Sequence, residues 1–255
     1  MRVTVAGSSC SIPRIGKACS AYLVEDDGFR FSLDFGTGAF ANIRQYADYD
    51  ALDAVVISHM HADHFLDLIP LRYAIKYGPR RRQAPLPVWV PPGAEAMLRT
   101  MASAFEREDG DDFLDAAFDV REFDPAKPLP MGDGALRFCL TTHYIEAYAI
   151  RYDRSGTSVT YSADTAPDAR VVALARETNL FVCEATLLAG AEEAGGVRGH
   201  SSAADAARMA SEAGCERLAL THYSEDARQA DLDGGARPLF AGEIIVADDH
   251  AVLPV

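Results

Sequence analysis

Apolar positions come in short runs separated by polar or small residues, and their periods change along the chain. RVTVAG (2–7), SAYLVED (20–26) and FRFSLDFG (29–36) are each bounded by Gly, Ser or Asp, which predicts three strands. GAFANIRQYA (38–47) has helical spacing. LDAVVIS (52–58) is a continuous apolar run of strand length. FLDLIPLRYAIKYG (65–78) places Leu, Ile and Tyr on one helical face, with Gly78 as the stop. LPVWVPPG (86–93) predicts a strand closed by prolines, followed by a helix over 93–105. EREDGDDFLDAAF (106–118) is acidic and without period, and reads as a solvated surface excursion, with a lid as the alternative.

Strands return in FDVREF (118–123), ALRFCLTTH (135–143), AYAIRYD (147–153) and SVTYSAD (158–164). The remainder alternates helix and strand through PDARVVALARETNLFVCEA, SAADAARMASEAGCERLALTHYS and EIIVADDHAVLPV. No linker or low-complexity segment interrupts the pattern. Two β-rich halves, each closing in helix–strand units, predict an α/β fold. The expected arrangement is two mixed sheets packed together with helices outside, a four-layer αββα sandwich, as a single domain over residues 1–255.

With 255 residues, the chain can bury a sizeable core. A formal net charge of −14 argues against a broad polyanion-binding surface, because non-specific nucleic-acid affinity comes from Lys and Arg. The basic triplet Arg80, Arg81 and Arg82 is a solvated loop or an anion-steering patch. Cys10, Cys19, Cys139, Cys183 and Cys215 are dispersed, with no C-x-x-C pair, which reads as buried thiols in a reducing compartment. No apolar run has the length of a membrane span. No signal-peptide pattern opens the sequence, so the expectation is a cytoplasmic protein without a membrane partner.

Residues 58–65, SHMHADHF, hold three of the seven histidines with an aspartate between them, directly after an apolar strand. Four more candidates also end strand-like runs: His143 after LRFCLTT, Asp164 after SVTYSA, Glu184 after NLFVC and His222 after RLALT. The carboxyl ends of strands are where α/β folds collect ligands. A single such histidine is usually a hydrogen-bonded turn residue, and Asp164 alone could cap the helix that follows. His250, in ADDHAV, reads as a hairpin turn. Imidazole and carboxylate without thiolate suit zinc, with manganese or iron as alternatives. Seven candidates (His59, His61, Asp63, His64, His143, Asp164 and His222) exceed one tetrahedral ion and match two, with Asp164 shared.

SHMHADH with downstream His143, Asp164 and His222 resembles the metallo-β-lactamase superfamily, and VAGSSCSIP, LDFGTG and THYS fall in the order that family has. The resemblance implies that His59, His61 and His143 bind one divalent metal and that Asp63, His64 and His222 bind the other, with Asp164 bridging. CEATL followed by GHSSAADAARMASEAGCERLALTHYS is similar to the phosphodiesterase branch that includes ribonuclease Z, in which a glutamate (here Glu184) orients a histidine (here His200) that protonates the departing oxygen. Asp34 in LDFGTG is then an orienting residue. Two departures set transfer-RNA processing aside. Ribonuclease Z carries a long arm between the equivalents of His143 and Asp164, where only twenty residues stand here, and it has an arginine after the last histidine, where this chain continues HYSED. SADT also replaces the usual Ser-Gly-Asp-Thr, which puts the Ala163 methyl beside the metals.

The resemblance therefore implies a dinuclear-metal phosphodiesterase of a small phosphodiester such as a cyclic nucleotide. A metal-bridging hydroxide would be the nucleophile, Asp63 would orient it, and His200 aligned by Glu184 would be the acid. Large RNA is not the expected partner, and a homodimer stays open. The alternatives are a ribonuclease Z-like endonuclease; a lactone, thioester or sulfate-ester hydrolase on the same metals; and a non-catalytic metal protein. Glu184 and His200 could instead form a helix-capping pair.

Overall fold

The computed structural model describes residues 1–105, 113–188 and 198–255. Among the described residues, two seven-stranded sheets carry the architecture. The first orders β14 (Val252–Leu253), β1 (Arg2–Gly7), β2 (Ala21–Asp26), β3 (Phe29–Leu33), β4 (Ala54–Val56), β5 (Leu86–Val90) and β6 (Phe118–Glu122). The second orders β13 (Glu243–Val246), β12 (Arg217–Thr221), β11 (Leu180–Glu184), β10 (Thr157–Tyr161), β9 (Tyr148–Arg154), β8 (Gly134–Leu140) and β7 (Leu129–Met131). Each sheet is mixed in the same way. An antiparallel meander (β1–β2–β3, or β7 through β10) continues into parallel strands (β3 through β6, or β10 through β13).

Alternation of side chains explains the layering. In β2, Tyr22 and Val24 join a core shared with Leu180 and Val182 of β11, while Ala21 and Leu23 face the other way. In β11, Phe181 and Cys183 point out to a third cluster. Strands with both faces buried must be apolar throughout, as AVV and LFVC are. The outer face of the first sheet is covered by α1 (Ala39–Ile43), α3 (Leu68–Tyr77) and α4 (Ala94–Ala102), through Ile43, Leu71, Ile75 and Leu98. The outer face of the second is covered by α5 (Ala169–Leu174), α6 (Ala203–Ala213) and α7 (Gln229–Ala236), through Val171, Ala206, Met209 and Leu232. This is the four-layer αββα sandwich, with helices outside two mixed sheets. Among the described residues no helix is long and apolar enough to cross a membrane.

Several local expectations are corrected. The helix predicted over 65–78 begins only at Leu68 as α3; Phe65 closes a separate single-turn helix, α2 (Ala62–Phe65), and the Asp67 carboxylate between them accepts from Phe40 N at 2.8 Å. Of the stretch read as a surface excursion, residues 106–112 lie outside the described residues. The remainder is only partly solvated: Asp115 is exposed, but Phe113, Leu114 and Ala117 are buried in the first outer core. His250 is in a turn but not a hairpin, since β13 and β14 belong to different sheets, and Tyr46 Oη lies 3.1 Å from its Nδ1. Arg80 and Arg81 are exposed, in keeping with a solvated loop, and the triplet clamps the neighbouring chain. Arg82 donates to the carbonyls of Tyr49, Asp50 and Leu52, Arg81 donates to that of Lys76, and Arg80 pairs with Asp48 at 2.6 Å.

Candidate metal centre

The candidate ligands gather beyond the carboxyl ends of strands. His59 follows β4. His61 leads into α2, whose single turn carries Asp63 and His64 back toward the same point. His143 lies between β8 and β9, Asp164 follows β10, and His222 follows β12. Three non-glycine residues here have left-handed backbone: Asp34 (φ 57°), Ala163 (φ 50°) and His222 (φ 54°). Each costs on the order of 1 kcal/mol, and such strain concentrates at functional sites. The left-handed φ at Ala163 is the physical reason a glycine suits that position.

The ligand atoms converge in two groups that share Asp164, one of His59, His61, His143 and Asp164 and the other of Asp63, His64, Asp164 and His222, each with its donor atoms within 4.8 Å of one another. In the first, His61 Nδ1 lies 3.2 Å from His59 Nε2 and 3.0 Å from His143 Nε2, and Asp164 Oδ2 is 3.6 and 3.7 Å from those two Nε2 atoms. In the second, His64 Nε2 lies 3.4 Å from both Asp63 Oδ2 and Asp164 Oδ2, and His222 Nε2 lies 3.2 Å from Asp63 Oδ2 and 3.4 Å from Asp164 Oδ1. Asp164 does not cap α5. Asp168 does, accepting from Arg170 N at 2.7 Å.

Two buried carboxylates fix the rings from behind, each holding one histidine directly and a second through a hydroxyl. Asp34 accepts from His64 Nδ1 at 2.7 Å, from Tyr161 Oη at 2.8 Å and from Ser58 Oγ at 2.8 Å. Ser58 Oγ, its proton so committed, accepts from His59 Nδ1 at 3.0 Å. Glu184 accepts from His200 Nδ1 at 3.0 Å and from Thr186 Oγ1 at 2.6 Å, and Thr186 Oγ1 accepts from His222 Nδ1 at 2.8 Å. His143 Nδ1 donates to Gly199 O at 2.8 Å. These bonds put the proton on Nδ1 of His59, His64, His143 and His222 and turn the lone pair of Nε2 inward, as metal ligation requires. Glu184 and His200 are not the cap of α6, which is a Ser202–Asp205 capping box.

The electrostatics suit a cation. Burial, reinforced by the neighbouring imidazoles, keeps His59, His61 and His143 below the usual imidazole range and therefore neutral. Burial opposes the charged form of Asp164, yet the fields of His222 and His64 outweigh it and hold the carboxyl well below its usual range. Asp63 is lowered likewise against burial, by the adjacent His222 and His64 rings. Burial also opposes charge on His64, but Asp164 and Asp34 raise it well above the usual range, so these carboxylates draw positive charge to this point. His64 Nε2 and Asp164 Oδ1 are buried without a hydrogen-bond partner. Orphaned buried polar atoms cost about 1–3 kcal/mol each. A divalent ion in the second group would satisfy both, so the residues present fit the metals that the donor chemistry implies.

A cavity of about 350 Å³ opens over the site, lined by Asp63, Asp164, His222, His200, Tyr144 and Thr186 among others. The structure brings all the sequence-predicted site residues together: the seven ligand candidates in two groups, His200 on the cavity wall with Glu184 behind it, and Asp34 behind His64. Sequence reasoning missed Ser58, Tyr161 and Thr186. Ser58 and Thr186 stand next to or two residues from a candidate, a weak signal; Tyr161 reaches Asp34 from 127 positions away, and nothing local marks it.

A family model described as the beta-lactamase superfamily domain matches residues 31–223. The Bacillus subtilis protein named probable metallo-hydrolase YhfI is 28% identical over 249 residues, covering 97% of each chain. The crystal structure of YhfI, described as a metallo-beta-lactamase fold protein, superposes with a TM-score of 0.88 at 26% identity, covering 99% of both chains. The Mycobacterium leprae protein ML1173 is 32% identical over 255 residues, covering 99% of this chain and 86% of the other. A ribonuclease Z from Haloferax volcanii is 27% identical over 303 aligned positions, covering 100% of this chain and 95% of that one.

Proposed function

The chain belongs to the beta-lactamase superfamily, and on that premise we propose that it is a dinuclear-metal phosphodiesterase of small phosphodiesters, with zinc the metal its donor set suits best. His59, His61 and His143 would hold one ion, Asp63, His64 and His222 the other, and Asp164 both. Two ions so held would supply the Lewis acidity that neutralises phosphoryl oxygens and acidifies a water. Asp63, on the cavity wall, orients the attacking water. His200 supplies the proton that the departing alkoxide takes up, and Glu184 keeps its Nδ1 protonated so that Nε2 is the donating nitrogen.

The observation that carries this reading is that His200, on the wall of the same cavity as the ligand groups, donates from Nδ1 to the buried Glu184 at 3.0 Å. An ester with a good leaving group has no use for such an acid, whereas an alkyl phosphodiester does. The ribonuclease Z relative favours a second reading, RNA cleavage. Against it, no Lys or Arg lines the cavity among the described residues, and β9 and β10 fill the interval between His143 and Asp164. Zinc- and manganese-loaded protein is assayed on bis-p-nitrophenyl phosphate, cyclic nucleotides, precursor transfer RNA, lactones and thioesters. Turnover of cyclic nucleotides above the rest is expected. Efficient cleavage of precursor transfer RNA at physiological salt, or turnover of lactones or thioesters alone, overturns the proposal.

A further inference from the structure

Beside the ligand cavity lies a second cavity of about 380 Å³, and His61 contributes to the walls of both. Its lining is unlike that of the first: Met60, Pro91, Pro92, Met97 and Ile145 supply apolar surface, and Glu146 is its carboxylate. Met97 and Ile145 remain 52% and 38% exposed. Apolar side chains left at the surface around a concavity mark a ligand-binding groove. The prolines that close β5 make one wall rigid. Methionine contributes a soft, polarisable surface suited to aromatic rings.

The shared histidine means that one ligand can occupy both cavities, with its reacting group at the metal ligands and its remainder against Met97 and Ile145. The chemistry of the lining restricts that remainder. Among the described residues no Lys or Arg lines the cavity, and Glu146 would repel a second phosphate. A plain acyl chain would fill the apolar surface but offers the Glu146 carboxylate, an acceptor only, no hydrogen-bond donor. A flat, uncharged ring bearing N–H donors satisfies both features. We propose that this cavity is the base subsite of a nucleotide substrate, with Glu146 accepting hydrogen bonds from the Watson–Crick edge of a purine; this rests on the phosphodiesterase reading. Guanine presents two adjacent N–H groups that a carboxylate accepts in parallel. Adenine offers only its exocyclic amine, and the single ring N–H of uracil is flanked by carbonyls that the carboxylate repels. The order of preference is therefore guanine, adenine, uracil.

Nucleosides test the subsite without chemistry, since they carry no phosphate. Binding of guanosine, adenosine and uridine is measured by calorimetry and saturation-transfer NMR on zinc-loaded and on metal-stripped protein. Guanosine is expected to bind in both forms, about tenfold more tightly than uridine. Glu146→Gln should abolish that preference, and Met97→Ala should weaken all three nucleosides. Both side chains are exposed, so neither variant removes a core residue. Equal affinity for the three nucleosides in the wild type, or a preference unchanged in Glu146→Gln, overturns the inference. Bis-p-nitrophenyl phosphate turnover reads the reaction separately. Turnover without nucleoside binding overturns the subsite alone, and selective nucleoside binding without turnover of any phosphodiester supports the subsite while overturning the reaction.

Discussion

Replacing Thr186 by valine keeps the shape of the side chain and deletes one hydroxyl. That hydroxyl donates to Glu184 Oε2 at 2.6 Å and accepts from His222 Nδ1 at 2.8 Å. Thr186→Val therefore takes one hydrogen bond from a fully buried carboxylate and strands the N–H that fixes the His222 tautomer. Glu184 keeps its bonds from Thr165 N at 2.6 Å and from His200 at 3.0 Å, so it stays in place. His222 has no such reserve, and its ring is freed to rotate away from Asp63 and Asp164. Loss of an outer partner of a ligating histidine costs 10–100-fold in metal affinity. Thr186 is only half-buried, so water can replace part of what is lost, and the lower end applies. About tenfold weaker binding of one zinc ion is expected, equivalent to about 1.4 kcal/mol, with the other ion unaffected. Competition against a chromophoric chelator measures this, with circular dichroism as the check on folding. Thr186→Ser should restore the wild-type affinity. Zinc affinity within twofold of wild type in a folded Thr186→Val protein would refute the reasoning.

His200→Ala should slow a cyclic nucleotide by about 10²–10⁴-fold and a p-nitrophenyl ester far less, with zinc content unchanged, because only the alkoxide needs a proton to depart; equal losses on both substrates would make His200 structural. Glu184→Gln should combine a weaker form of that pattern with loss of zinc affinity, since Glu184 also holds His222 through Thr186; unchanged zinc titration would separate the two roles. Gly36→Ala should destabilise the fold by about 3 kcal/mol or more, because the new methyl meets the Asp63 carbonyl oxygen, and backbone yields less readily than a side chain. Chemical denaturation reads that change, and a loss under 1 kcal/mol would contradict the close approach of the turn after β3 to α2.

The strand-and-helix order was legible because both sheets carry strands buried on both faces, which write themselves as apolar runs such as AVV and LFVC. The candidate ligands stood out because one cluster and three single residues follow such runs, and the fold brings together what the sequence spreads over 164 positions from His59 to His222. Where local pattern failed, the deciding contacts were distant. β7 has a proline and only three residues, and α7 contains Gly234 and Gly235, so neither has a period to detect. Phe113 and Leu114 follow an acidic run yet enter the core. The hydroxyls of Ser58 and Thr186 look like any other Ser or Thr until the rings behind which they stand are in place. The apolar cavity could not be read at all, since it joins residues from 60 to 146 that share no motif.

Anomalous diffraction at the zinc edge from crystals of the zinc-loaded protein tests the central claim most directly. The account predicts two peaks per chain, one among His59, His61, His143 and Asp164 and one among Asp63, His64, Asp164 and His222. A single peak, or peaks away from these side chains, would contradict it.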